Sequence, residues 1–339
     1  MTEFTNVNNA VHVYAETEWG VTPASPVYVP LPHDSYDVTM NVESRMFGGK
    51  AGVRQRRHKK GFRGMPQGNL TLPLYGWQTA GLGKSIAEYL MDFGFADAAG
   101  SVHESIDLPS LGAEYTEGPD VANKRHSGLR VNTCTVSGTD SAGRIDIALG
   151  LMGKNETGEG DATPDVATSQ PIPVDQYELT EFDYTDVVFE LSTDDDPANY
   201  AVLPTEAFNL QVANNLLTKY VGSTRPTVLK ADERATTFSV TTTKKDDVWD
   251  AYRRNVFATA ETDQRFAARL TLKGLHKGTG TANTQYTQCV ITLPSLAYNG
   301  HADDRSRGTI AMLPLTFDVL KPDTAANDVN IVWSDVAAA

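Results

Sequence analysis

Apolar and polar positions alternate in short runs along most of this chain. Ile145, Ile147, Leu149 and Leu151 fall on one side of one run; Phe266, Ala268, Leu270 and Leu272 do so in another, with Arg265, Arg269, Thr271 and Lys273 opposite. A period of two marks strands with one wet face. TMNV, NLTLPLYG, LRVNTCTV, RIDIALGLM, DVVFEL, FNLQV, TFSVTTT, RFAARLTLKGL, QCVITLP and GTIAMLPLTFDV are all short and bounded by Gly, Pro, Asn or Asp, as strands are. Two segments carry the helical period instead. In KSIAEYLMDFGF, Ser85 and Glu88 have capping-box spacing, and Ile86, Tyr89, Leu90 and Phe93 form an apolar stripe. In KKDDVWDAYRRNVF, Asp246 or Asp247 can cap, and Trp249, Tyr252 and Val256 line one face. Both stripes read as core packing, so the fold class is mainly β with two helices.

The order of these elements repeats. Strand, long loop, strand, helix and strands occur twice, about 165 residues apart, which points to a tandem duplication. Residues 69–152 are expected to match 237–319 in topology. The stretch GKNETGEGDATPDVATSQPIPVDQ suits a linker or exposed loop. A boundary near residue 170 gives a first domain over 1–170, with a long basic loop at 43–67, and a second over 171–339, with a loop at 217–233.

Charge sharpens this picture. The 339 residues hold 29 basic and 43 acidic side chains, net −14, which argues against general binding to DNA or anionic membranes. Residues 44–87 nevertheless contain no acid, and Lys50, Arg54, Arg56, Arg57, Lys59, Lys60 and Arg63 crowd into this window. A basic block on an acidic body can be a solvated loop, a nucleic-acid contact or a contact with an acidic surface of another copy. The block lacks interleaved aromatics beyond Phe62, which disfavours nucleic acid. Self-association is the favoured reading, and these seven residues are the candidate inter-subunit contacts.

Chemistry is sparse. The seven histidines are scattered without metal-ligand spacing, and the two cysteines, Cys134 and Cys289, sit in no CxxC or Cys/His cluster. Gly83-Lys84-Ser85 opens a helix after a strand, but Gln78 stands where a phosphate-binding loop needs its first glycine; a plain helix start is the better reading. Asp194 to Asp196 and the pair Asp303 and Asp304 read as solvated turns rather than calcium loops. No catalytic, cofactor-binding or metal-ligating residue is assigned, and no cofactor is expected. The N-terminus lacks the basic and apolar regions of a signal peptide, and no apolar run is long enough to span a membrane as a helix.

ETEWGVTPASPVYVPLP, then GNLTLPLYGW with a helix behind it, resembles the major tail tube proteins of long-tailed, siphovirus-type bacteriophages. DVVFELSTDD, FNLQVANNLL and TTFSVTTTKKDDVWDAYRR extend the resemblance through the second half. The resemblance implies two tandem tube-type β-sandwich or barrel domains, each flanked by one helix. It implies a non-enzymatic virion protein, made in the host cytoplasm, whose subunits close into stacked rings around a channel for DNA. Three chains with pseudo-six-fold symmetry would form a ring; a single tube fold with an added immunoglobulin-like module is the alternative, and would suit six chains. The implied partners are further copies, a tail terminator, a tape measure protein and a distal tail protein, with DNA passing unbound and no membrane involved. The rival readings are a carbohydrate- or receptor-binding β-sandwich and, behind it, a hydrolase.

Overall fold

The computed structural model describes residues 11–48, 56–77, 84–95, 108–115, 124–157, 180–192, 199–243, 265–276, 285–301, 312–321 and 328–337. Among them the chain is mainly β. The first half runs β1 (Val11–Ala15), β2 (Val29–Leu31), β3 (Ser35–Tyr36), β4 (Thr39–Gly48), β5 (Arg56–Pro73), α1 (Ile86–Gly94), β6 (Leu111–Tyr115), β7 (Lys124–Thr139), β8 (Ile145–Met152) and β9 (Asn155–Thr157). The second runs β10 (Val188–Ser192), β11 (Ala201–Leu203), β12 (Thr205–Ala213), β13 (Leu217–Lys219), β14 (Val228–Lys230), β15 (Ala235–Thr243), β16 (Phe266–His276), β17 (Gln285–His301), β18 (Met312–Val319) and β19 (Asn330–Ala337).

The alternating runs behave as their pattern dictates. In β8 the inward residues Ile145, Ile147, Leu149 and Leu151 are buried and their neighbours are partly exposed. Periodicity missed β1, β2 and β6. The run VHVYA lies between β2 and β6 and is buried at four successive positions, so no polar face is left to reveal it. Helix α1 starts where expected: the Ser85 hydroxyl accepts from the Glu88 amide at 3.1 Å, satisfying one of the helix's orphan donors. Ile86, Tyr89, Leu90 and Phe93 are buried, and a Cβ on Gly94 would stand 2.4 Å from Cys134 Sγ, so glycine lets the helix settle against β7. The second expected helix, 244–257, lies outside the described residues.

Two expected loops are corrected. Most of 43–67 is not loop: β4 and β5 form a long antiparallel hairpin, with Val42 opposite Gly64, Arg45 opposite Lys60 and Gly48 opposite Arg56. Its many charges conceal the strand period, but an edge hairpin needs no apolar face along its whole length. The segment 217–233 likewise contains the short hairpin β13–β14, with Thr218 opposite Leu229.

Seven strand pairings of the first half have counterparts in the second. β2–β1, β1–β6, β6–β7, β7–β8, β8–β5, β5–β4 and β7–β9 in the first half match β11–β10, β10–β16, β16–β17, β17–β18, β18–β15, β15–β12 and β17–β19 in the second. Two irregularities match too. The bulge between Leu111 and Ala113 has its counterpart between Phe266 and Ala268; that between Val131 and Thr133 has its counterpart between Tyr298 and Gly300. One displacement in numbering carries Leu129 to Leu296, Val131 to Tyr298 and Thr133 to Gly300. The residue inside the second bulge is asparagine in both halves, Asn132 and Asn299.

The halves are joined edge to edge. β7 pairs antiparallel with β12 from Thr133–Ala213 to Thr139–Ala207, making one sheet across the junction. Phe182 pins a second contact: its amide donates to Leu74 O at 2.9 Å, its carbonyl accepts from Ile145, and it bridges to Gly274. One continuous apolar core, from Val13 and Leu72 to Leu270 and Phe317, runs through both halves.

Candidate assembly surfaces

Five of the seven basic residues lie on β5. Lys50 and Arg54 lie outside the described residues. Arg56, Arg57, Lys59 and Lys60 sit on β5, paired in register with the end of β4, and only their backbone is described. Arg63 lies nearer the body, where its guanidinium stacks 4.8 Å from the centre of the Tyr220 ring. A planar cation over an aromatic face is attracted by the ring's quadrupole. Arg63 thus fixes the body end of the β4–β5 pair.

The β13–β14 hairpin of the second half lies against that end, and nothing in the sequence pattern announced this. The Gly64 amide donates to Thr224 O at 2.9 Å, and the Arg225 guanidinium lies 2.9 Å from Met40 Sδ. Arg130 donates to Leu229 O, and its guanidinium lies 5.4 Å from the Trp19 ring. A satellite apolar cluster of Leu108, Leu216 and Leu229 closes beneath, with Trp19 against it. The arm from the β12–β15 connection thus lies across the β4–β5 pair.

The junction between β7 and β12 continues past the strands. Asn214 donates from its amide to Asn132 O at 2.7 Å and from its side chain to Val131 O at 2.9 Å; the Leu216 amide donates to Asn132 Oδ1 at 2.8 Å. The bulge turns Asn132 to face this segment, so one residue offers two acceptors to it.

Several polar groups inside the first half are committed to structure. Glu16 accepts from the Gly20 and Gly128 amides and the Ser110 hydroxyl, each at 2.8 Å; burial raises its pKa against those hydrogen bonds. Tyr36 and the His126 Nδ1 are 2.6 Å apart, and the His126 Nε2 is 3.2 Å from Glu156. Burial lowers the His126 pKa, which the Glu156 contact opposes, and raises that of Tyr36. A neutral ring fits both contacts, with Tyr36 donating to Nδ1 and Nε2–H donating to Glu156. Glu114 is buried with Arg125, 2.5 Å away, and Tyr28 donates to it at 3.0 Å. Lys84, the residue of the phosphate-loop-like triplet, pairs with Asp92.

The thiols are unpaired and buried; burial pushes Cys134 up to about 12 and Cys289 upward as well, which leaves little thiolate to react. Among the described residues no group of three or more His, Cys, Asp or Glu side chains could hold a metal. None of their helices is long and apolar enough to cross a membrane. What the described surface offers is strand edges and a charged hairpin, which suit association with other protein surfaces.

A family model described as "Phage tail tube protein" matches residues 7–319, nearly the whole chain. No match was found among curated proteins.

Proposed function

The chain belongs to the phage tail tube protein family, and we propose that it polymerises into stacked rings whose channel passes DNA during ejection. The family makes it a structural protein of the virion tail that assembles with itself and with other tail proteins. One observation carries the finer reading: the two halves share seven strand pairings and two bulges, and they meet edge to edge through β7 and β12. Each half is then one tube-type domain, divided near residue 170. Three chains place six such domains around a ring. Edge-to-edge joints use the strand edges that would otherwise invite aggregation.

Electrostatics support the conduit. A net charge of −14 disfavours phosphate sticking to the wall, so DNA slides without specific binding. The basic hairpin with Lys50, Arg54, Arg56, Arg57, Lys59, Lys60 and Arg63 meets acidic surface on the next ring, since complementary charge sets register and favours encounter. The tail terminator, tape measure and distal tail proteins meet the tube at its ends and lumen. The role is passive, without catalysis or cofactor. Analytical ultracentrifugation with negative-stain microscopy tests the reading: rings or tubes with a central channel are expected. A compact monomer at high concentration would count against it.

A further inference from the structure

The first half has an edge that the second half uses. β12 pairs with β15 on one side and β7 on the other. Its counterpart β4 pairs with β5, and among the described residues no strand lies along its other side. One displacement in numbering carries Leu31 to Leu203, Met40 to Val212 and Val42 to Asn214. Where the counterpart is covered by β7, Val212 is fully buried and Asn214 is 2% exposed. On β4, Thr39, Asn41, Val42 and Glu43 are exposed, and Val42 is 51% open to solvent. A β-branched apolar residue on an open strand edge is a position that strand pairing would cover.

The partner for that edge is legible at the other end of the chain. β17 is the counterpart of β7. Its bulge, between Tyr298 and Gly300, lies where β7 has the bulge that holds Asn132. Asn132 meets the Asn214–Leu216 segment with its carbonyl and its side chain. Asn299, the equivalent residue, is exposed.

We propose that β4 of one copy pairs antiparallel with the end of β17 of a second copy, in the register that β12 takes on β7. Transferring that register sets Met40 opposite His301, Asn41 opposite Gly300 and Val42 opposite Asn299. Asn299 then accepts from the Val42 amide of the second copy with its carbonyl and from the Ser44 amide with Oδ1, as Asn132 does within the chain. Every joint around the ring is equivalent, alternately inside a chain and between chains. This head-to-tail contact is heterologous, and a ring results when its rotation closes. The proposal rests on the ring reading above.

The test is a cysteine pair, Asn41→Cys with Gly300→Cys. Directly opposed residues of an antiparallel pair bring Cβ atoms to about 4.5–5.5 Å, near the span a disulfide bridges. On mild oxidation the variant should give covalent dimers and trimers on non-reducing gels, reversed by thiol reductant. Asn41→Cys with Ala297→Cys, three residues out of register, should not. A second variant, Asn299→Ala, should melt like the parent yet need roughly tenfold more protein to form rings, the effect of losing about one hydrogen bond per joint. Rings in the micrograph without covalent multimers, or unaltered assembly of Asn299→Ala, would overturn the β4–β17 joint and leave the ring reading standing. Absence of both rings and covalent multimers would overturn both.

Discussion

Phe182 ties the two halves together at the residue scale. It is fully buried, is hydrogen-bonded through its backbone to Leu74 and Ile145, and lies edge-on to Trp333 with ring centres 6.4 Å apart. A Cβ at Gly274 would stand 2.4 Å from its ring, so the glycine is what allows the ring to lie flat on β16. Phe182→Ala should cost about 3–5 kcal/mol, read as a lowered denaturant midpoint. Gly274→Ala should cost about 1–3 kcal/mol by overpacking. His126 gives a second residue-scale expectation. Its folded pKa lies below the usual 6.5, so between the two values the unfolded chain binds more protons and stability rises with pH. Its contribution is complete above pH 6.5 and is lost as pH falls through the folded value. Melting temperature should therefore drop on acidification from pH 7 towards pH 5, and His126→Gln should flatten that slope. Little of this could be read from the sequence: His126 is one of seven scattered histidines, and strand pairing sets Glu156 opposite it while Tyr36 reaches it from β3, a strand paired elsewhere.

Elements were legible wherever one face is wet and the other dry. β12, β15 and β16 follow from alternation because their outward residues are mostly polar, β8 because bulky Ile and Leu alternate with smaller or polar residues, and α1 follows from its stripe and its Ser85 cap. Ser85→Ala should lower stability by about 0.5–2 kcal/mol, measured by chemical denaturation. Strand β1 was hidden by being buried between two others, and the hairpin β4–β5 by its charge, which looks the same in a loop and on an exposed edge. The assembly role proposed for that hairpin makes its own prediction. Replacing Arg56, Arg57, Lys59 and Lys60 with Ser should leave the monomer's melting temperature unchanged and suppress tube growth in light scattering. Each exposed ion pair contributes only about 0–1 kcal/mol, but the contact recurs in every subunit of every ring. Raising salt should act in the same direction, because screening is strong beyond about 8–10 Å at physiological ionic strength. Tubes that grow normally from the variant would make the hairpin a solvated one.

At the scale of the whole molecule, repetition carries the account. The sequence pattern shows strand, connection, strand, helix and strands twice. It does not show that the halves share a sheet, because register and edge partners depend on residues far apart in the chain. The asparagines of the paired bulges, in RVNT and AYNG, were visible as letters. Their equivalence emerged only once both strands had been placed against their neighbours. The central claim is that two tube-type halves in each chain build a ring from three chains. The most direct measurement is the mass of a single isolated ring, by native mass spectrometry or by counting subunits in end-on electron micrographs. Three chains, six domains and a central channel are expected. Six chains per ring, or a particle of one chain without a channel, would contradict that claim.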